Sequence, residues 1–593
     1  MDAQGHRHTD KPERDATLLR PDQAHIEEEQ DKEIHGCSSH TKIGTMDSYS
    51  DTSDVERDAG ISRFPTQQDH LGSDLQPNST EIERIQTQKS QHSQTVGCST
   101  LKSRASRKPL PAFGANKPYP PQLIDQEAYV VGFDGPDDPL HAQNWPFVDK
   151  LIIATMLGFT TFTASFGSAI FSTTIPHLQA RFHVGSVVAT LGTSLYVLGF
   201  ATGPILWAPY SELKGRRSPL VFASFGFAIF NLAVAVAKDV QTVMICRFFG
   251  GFFGACPLTC VAAVFSDMFN NRSRGNAITI FAMAVFCGPL FAPFIGGFIV
   301  KSKLGWRWTE YITAILGFVC LGLNVIFLRE TYAPQILVEK AATLRRATKN
   351  WAIHAKQDEI EIDFGELLEK NFSRPLRMLV TERIVLLITI YMSFIYGILY
   401  LFLTAYPLVF QRVHGMNPGV GGLPYFGLIS GQLLAGLVIF LRQPAYERKL
   451  AANDNVNVPE WRLPDVIAGG ICFAAGMFWF GWTGYKADIH WIVPTLSGLL
   501  LGFGLLAIFL PLFNYLIDSY LMFAASAIAA NTFLRSLAGA AFPLFARQMF
   551  EGMGIEWAST LLGCLAVVMV PVPVWFYLQG EKIRRKSAYA QTR

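Results

Sequence analysis

The sequence predicts an all-α membrane protein with twelve transmembrane helices in two groups of six, preceded by a long polar tail. Three observations predict it. Between Lys150 and Gly580 the chain carries about a dozen apolar stretches, each long enough to cross a bilayer core. Almost all the charge of this region falls into the gaps between them. The stretches are continuously apolar rather than alternating, which excludes a barrel, because hydrocarbon admits only helices or closed barrels.

The averages of 50% hydrophobic and 16% charged residues hide two unlike regions. Residues 1–128 are polar and rich in Asp, Glu, Lys, Gln, His, Ser and Thr. Such a segment buries too little apolar surface to offset its ordering entropy, and is expected to be a disordered cytoplasmic tail. No N-terminal signal peptide is expected, because the first apolar run starts near position 150 and reads as an internal signal-anchor. The net charge of +3 is distributed by side of the membrane and supports no nucleic-acid role.

The expected spans are 151–175, 187–207, 218–237, 242–268, 276–300 and 309–328, then 384–409, 420–441, 464–483, 490–517, 521–546 and 557–578. They define an N-terminal half (129–328), a central loop (329–383), a C-terminal half (384–579) and a tail (580–593). Lys214, Arg216, Arg217, Arg272, Arg274, Arg448, Lys449 and Arg462 gather on one side, with the central loop and Lys582, Arg584, Arg585 and Lys586. By the positive-inside rule that side is cytoplasmic, as are both termini. The sequons at Asn78, Asn271 and Asn371 then lie on the wrong side for glycosylation. Within the central loop, Phe364, Leu367, Leu368 and Phe372 suit either an interfacial amphipathic helix or a solvated linker.

Of nine cysteines, Cys37 and Cys98 lie in the tail and the other seven in apolar segments, so no disulfide framework is expected. Cys256 and Cys260 share a helix face without His or carboxylate neighbours, and read as packing residues rather than metal ligands.

The loop after the second span reads Gly203-Pro-Ile-Leu-Trp-Ala-Pro-Tyr-Ser-Glu-Leu-Lys-Gly-Arg-Arg217. Gly215 permits a tight turn, Glu212 puts a carboxylate at a helix end, and Arg216 with Arg217 anchors the next helix. Asp267, at the same side of the fourth span, is placed to accept one of these arginines as a latch. In the fifth span, Pro289 and Pro293 each remove a backbone donor, while Gly288, Gly296 and Gly297 allow close approach of a neighbour. Such a seam suits a moving helix; ordinary membrane packing also uses Gly and Pro. Arg247, inside the fourth span, is the most telling residue. A charge there is costly and marks function, unless it snorkels to the nearer interface. Arg535 is a second such charge.

This ordered set resembles the major facilitator superfamily, in the twelve-span branch of fungal drug:proton antiporters. The loop resembles its motif A, and Arg247-Phe-Phe-Gly-Gly-Phe-Phe-Gly-Ala255 resembles the fourth-helix motif. Gly288-Pro-Leu-Phe-Ala-Pro-Phe-Ile-Gly-Gly297 is similar to the antiporter motif. Asp137-Asp-Pro through Asn144-Trp-Pro146, Leu328-Arg-Glu-Thr-Tyr-Ala-Pro334, Pro459-Glu-Trp-Arg-Leu-Pro464 and Ala541-Phe-Pro-Leu-Phe545 are further markers. Departures are Ala208 and Ala292 where Gly is usual, and Glu382-Arg383 where the branch often has Glu-Pro.

The resemblance implies duplicated three-helix repeats, alternating access, and a role for Arg247 in proton coupling. It also places spans one, four, seven and ten around the cavity. Substrate-binding candidates are then Thr161 beside Thr160 and Thr163, Tyr396 and Tyr400 beside Tyr391, Asn514 and Asn531. An aromatic, weakly polar cavity favours amphiphilic organic molecules over sugars or ions. No proton-carrying acid emerges: Asp267, Glu310 and Asp518 all sit near span ends, where any of them reads equally as interfacial.

The expected function is export of drugs or small organic metabolites by proton antiport at the plasma membrane. It needs no cofactor beyond the proton gradient, no metal, and no partner other than a small-molecule substrate and the bilayer. A nutrient sensor on a transporter fold, or a facilitated or symport carrier, is the alternative. An enzyme would need clustered polar groups at one depth, and His177, His183, His414 and His490 all fall at external loops. No GxxxxGK[ST] loop is present to bind ATP.

Overall fold

The computed structural model describes residues 127–359, 364–453, 458–520, 523–587 and 589–590, without the side chains of 271–272 and 364–371. The tail expected over 1–128, with Cys37, Cys98 and Asn78, lies almost wholly outside these. So do the side chains of Asn271, Arg272, Phe364, Leu367, Leu368 and Asn371.

Twelve helices among the described residues are long and apolar enough to cross a membrane. Spans 1 to 6 are Phe147–Phe182, Ser186–Lys214, Arg217–Val236, Val240–Met268, Ser273–Lys301 and Arg307–Phe327. Spans 7 to 12 are Arg383–Val413, Val420–Ala452, Pro459–Gly484, Ile492–Ser519, Ala524–Met553 and Ile555–Arg584. Most outrun their apolar stretch, because intrahelical hydrogen bonds propagate beyond the hydrocarbon until a breaker intervenes. Gly215 (φ 82°) ends span 2 and Gly554 (φ 85°) ends span 11, each in a backbone conformation that favours glycine.

The packing repeats at an interval of six spans. In the first half span 1 packs on 5, span 2 on 4 and span 3 on 6; in the second, 7 packs on 11, 8 on 10 and 9 on 12. Spans 2 and 11, and spans 5 and 8, carry the contacts between halves. Glycine makes the closest crossings possible at matching places. A Cβ on Gly251 would lie 1.9 Å from the carbonyl oxygen of Tyr196, and one on Gly502 would lie 1.9 Å from that of Leu428.

The face bearing Lys214, Arg216 and Arg217 (the basic face below) also carries the connection between halves. The Asp363–Arg383 stretch holds the helix Phe364–Thr381, which packs on spans 2, 7 and 11. A second connector helix, Ala333–Thr348, had no apolar signature in the sequence. The segment before span 1 docks on it. Lys340 pairs with Asp134 (2.9 Å) and Asp138 (3.8 Å), and Val131 donates to the carbonyl of His354 (2.9 Å). Asp138 accepts the amides of Asp134 and Leu140, which hold its carboxyl below the usual range. The side chain of Asn144 closes this turn on the carbonyls of Pro136 and Asp138.

Because the space at Gly251 is occupied by backbone, which cannot rotate away as a side chain can, Gly251→Val is expected to destabilise the protein by about 2 kcal/mol or more. A thermal-shift measurement in detergent checks this, with Gly322→Val, where a Cβ meets nothing within 4 Å, unchanged within a degree or so.

Candidate functional site

At the basic face, the turn between spans 2 and 3 wraps a carboxylate. Glu330, two residues beyond the last residue of span 6's cap, accepts the amides of Arg216 (2.8 Å) and Arg217 (3.1 Å) at the start of span 3. It also accepts the amides of Thr331 and Tyr332. A carboxylate at a helix N-terminus is favoured by the peptide dipoles and satisfies orphan amides. Gly215 is obligatory here for a second reason: its Cβ would meet Glu330 at 2.4 Å.

The Arg216 side chain reaches Asp267 of span 4 (3.2 Å), donates to Ser211 (2.9 Å) and lies 4.7 Å from the Tyr332 ring centre. Burial opposes its charge, but Asp267 and then Glu212 outweigh that, so its pKa stands above that of a free guanidinium. Arg217 instead caps the Val325 carbonyl of span 6. The same device recurs six spans later. Arg462, at the start of span 9, pairs with Asp518 in the last turn of span 10 (2.6 Å) and lies 4.5 Å from the Tyr446 ring centre. The arginine–aspartate pair is thus duplicated along with the packing.

In span 5 the two prolines lie inside one unbroken helix. A Cβ on Gly288 would meet Ser165 and the Phe162 carbonyl of span 1 within 2.9 Å, and one on Gly296 would meet Thr173 at 2.6 Å. Gly297 faces the Pro418 carbonyl just before span 8, at 2.2 Å. The three glycines therefore serve two seams, one inside the first half and one between halves.

Arg247 does not snorkel. It has 0% side-chain exposure, and its guanidinium donates to the carbonyls of Gly192 (3.0 Å), Gly167 (2.9 Å) and Ser168 (3.3 Å). Span 1 frees the Gly167 acceptor by tightening at Phe171, whose amide turns to Ala169, and continuing as the 3-10 turn Phe171–Thr174. The guanidinium lies 4.3 Å from the Tyr196 ring centre and 4.7 Å from that of Phe171. Its charge partner is Glu310 in the first turn of span 6, Nη1 to Oε2 3.6 Å, also at 0% exposure. Neither Glu310 oxygen has a hydrogen-bond partner. The sequence left Glu310 open between an interfacial residue and a functional acid; proximity to a helix end says nothing about which way a residue faces, and this one faces the bundle.

Span 6 continues this polar face with Thr313, Cys320 and Asn324, all buried at helical spacing. The Cys320 thiol meets the Thr163 hydroxyl, and Asn324 donates to Ser224 (2.8 Å). Thr160, Thr163, Ser224 and Cys320 line a small internal cavity between spans 1, 3, 4 and 6.

Ser168 connects the charge pair to the second half. Its carbonyl takes Arg247, while its hydroxyl lies 2.8 Å from that of Tyr400 on span 7. Tyr400 meets Tyr396 at 3.5 Å, and the Tyr396 ring carries the Arg535 guanidinium of span 11 at 4.8 Å. Arg535 also lies over Phe509 of span 10, and its Nε has no partner. The structure thus joins Glu310, Arg247, Ser168, Tyr400, Tyr396 and Arg535 into one row that links the two halves. Tyr396 (6% exposed) and Tyr400 (1%) are covered, so the row is enclosed in this state.

The remaining candidates are placed differently. Thr161 is buried and donates to its own helix at Leu157. Asn531 is buried against the Met392 sulfur, with its Oδ1 unpartnered, and Asn514 is half-buried in span 10. Neither belongs to the row. Sequence reasoning passed over Glu330 and Ser168, and named Glu310 without finding its partner. Glu330 stood inside the marker Leu328–Pro334; Ser168 carried no signal, since its role depends on partners from spans 4 and 7, far away in sequence.

The seven described cysteines are free thiols, with Cys256 and Cys260 sulfurs 3.8 Å apart in the core. Among the described residues no three His, Cys, Asp or Glu side chains gather to hold a metal.

Comparison with known proteins agrees on one family. The sequence profile described as Major Facilitator Superfamily matches residues 157–543. The major facilitator superfamily multidrug transporter FLU1 of Candida albicans is 45% identical over 559 residues, covering 92% of this chain and 91% of its own. Multidrug transporter TPO1_2 of Candida glabrata is 50% identical, covering 81% of this chain and 83% of its own. The xylose transporter XylE from E. coli, in a partially occluded inward open conformation, aligns with TM-score 0.52 at 18% identity over 72% of this chain and 97% of its own. At that identity the likeness speaks to fold alone.

If Arg216 and Asp267 act as one latch, their effects on stability and turnover will not add. Arg216→Ala and Asp267→Asn are each expected to slow turnover, and the double variant to be no worse than the worse single one. A double-mutant cycle is expected to give a coupling of about 0.5–3 kcal/mol, and strict additivity would separate the two residues.

Proposed function

Since the chain belongs to the major facilitator superfamily, we propose that it is a secondary active exporter of drugs or small organic metabolites, driven by proton influx through alternating access. The basic face is the cytoplasmic one and the membrane is the plasma membrane. The protein acts on a small-molecule substrate, with the proton gradient in place of any cofactor and no catalysis of its own. The names of its fungal relatives support the substrate class.

One observation carries the coupling: a carboxylate and a guanidinium, both fully enclosed, face each other with the carboxylate otherwise unpartnered. A buried charge without its counter-charge is costly, so the proton on Glu310 and the surroundings of Arg247 must change together. Glu310 is the proton-carrying acid. It sits one turn from the face opposite the basic one, close to where an external proton would enter. When protonated it leaves Arg247 held only by three carbonyls and two rings. Two of those carbonyls belong to the turn of span 1 that presents Ser168 to Tyr400. Amphiphilic substrate contacting Tyr400 and Tyr396 therefore acts on the same turn as the proton. The latch at Arg216 and Asp267, with its counterpart at Arg462 and Asp518, holds the cytoplasmic ends while this exchange takes place.

The test is substrate movement in proteoliposomes with and without an imposed proton gradient, with an ionophore control. Wild type is expected to export uphill only with the gradient. Arg247→Ala and Glu310→Gln are expected to lose uphill export, roughly tenfold or more, while keeping downhill exchange; Arg247→Lys, which keeps the charge but not the planar fork, retains part. Gradient-independent transport by wild type would instead mark a facilitated carrier.

A further inference from the structure

Past Arg584, residues 585–587 and 589–590 fold back under the second half. Arg584 pairs with Glu460 at the start of span 9. Three residues on, the Ser587 hydroxyl donates to Oε2 of Glu382 at 2.6 Å. Glu382 is 5% exposed and immediately precedes span 7; the same oxygen accepts the hydroxyl of Tyr520, the fully buried residue that caps span 10. Ser587 Oγ in turn accepts the amides of Tyr589 and Ala590. The Tyr589 ring then meets Phe523, at the start of span 11, edge-on at 5.1 Å. The Phe523 ring also carries the Arg374 guanidinium of the Phe364–Thr381 helix at 5.7 Å. Four span ends and a connector helix are thus held by one short tail, with Ser587 at its centre.

The residues before this serine are Arg584, Arg585 and Lys586, of which Arg585 and Lys586 are exposed. A serine preceded by basic residues at its third, second and first N-terminal neighbours matches the acidic substrate cleft of a basophilic serine/threonine kinase. We propose that Ser587 is a phosphorylation site and that its modification releases the tail. In the transfer a bond forms between Oγ and the γ-phosphorus of a nucleoside triphosphate. The bond from that phosphorus to the bridging oxygen breaks, the hydroxyl proton passes to the kinase's base, and the nucleoside diphosphate departs.

The consequence follows from charge. The hydroxyl is the donor in its contact with Glu382, and phosphorylation removes that donor and substitutes a group carrying about −1.5 to −2 charge. A phosphate cannot remain beside a buried carboxylate, which it meets without an intervening cation. It leaves toward water and its own Arg584 and Arg585, taking Tyr589 off Phe523. Spans 7, 10 and 11 lose their common tie at the basic face. In a cell the site rests on that face being cytoplasmic; the reaction in vitro does not, because a nanodisc leaves both faces open.

The experiment treats the full chain in nanodiscs with a basophilic kinase and magnesium ATP. Peptide mass spectrometry locates the phosphate, and hydrogen exchange is followed over 580–590. The phosphate is expected on Ser587, absent in Ser587→Ala, and exchange of the tail is expected to rise about tenfold or more. Glu382→Gln, which removes the opposing charge, is expected to blunt that rise severalfold while leaving phosphorylation intact. No phosphate at Ser587, or a phosphorylated tail exchanging at the unmodified rate, overturns the proposal. Because the phosphorylated protein is the wild-type chain already folded, neither outcome can be assigned to misfolding.

Discussion

The enclosed pair of Arg247 and Glu310 is the constraint on which the first half is arranged. An arginine with no access to water needs acceptors for its five N–H groups, a counter-charge, and polarisable faces. Three separate spans provide the first two: carbonyls of spans 1 and 2, and the carboxylate of span 6. Tyr196 and Phe171 provide the third. Phe171 can lie against the site only because residue 192 has no side chain, a Cβ there falling 2.2 Å from the ring. The glycines, the tightened turn of span 1 and the aromatic pair are thus one solution to one buried charge.

That arrangement also makes the site responsive. Ser168 lies on the tightened turn and touches both charge and tyrosine, so a shift of the turn is felt on each side. The turn lies where the halves meet, since its serine touches span 7 of the second half. Arg535, whose Nε lacks a partner beneath Tyr396, puts a second positive charge at the other end of the row. Two guanidinium groups thus flank two tilted tyrosine rings at the junction of the halves.

At the basic face the proposed latch is duplicated. Each half closes with an arginine preceding a helix, an aspartate ending the span beside it, and a tyrosine ring over the guanidinium. The first latch is further bound by Glu330 from the connector, and the second half by the tail through Glu382 and Glu460. The two halves therefore differ less in the latch than in what lies beneath it.

The sequence by itself determined the twelve spans, their grouping, the pairing of Arg216 with Asp267, and the burial-prone place of Arg247 within an apolar run. These are one-dimensional facts: hydropathy is written along the chain, and a charge within an apolar run is visible without knowing its neighbours. The tertiary structure decided what each charge meets. Glu310 lies 63 positions from Arg247 in the chain, and only the crossing of spans 4 and 6 makes it the counter-charge. Glu330 became a helix cap because the connector returns beneath span 3, and Thr161, polar and well placed in sequence, turned out to satisfy itself on its own helix. Where apolar length fixes an element, sequence suffices. Where a polar side chain must choose among partners, the choice is made by packing, because the cost of leaving it unpaired is set by what the fold brings within reach.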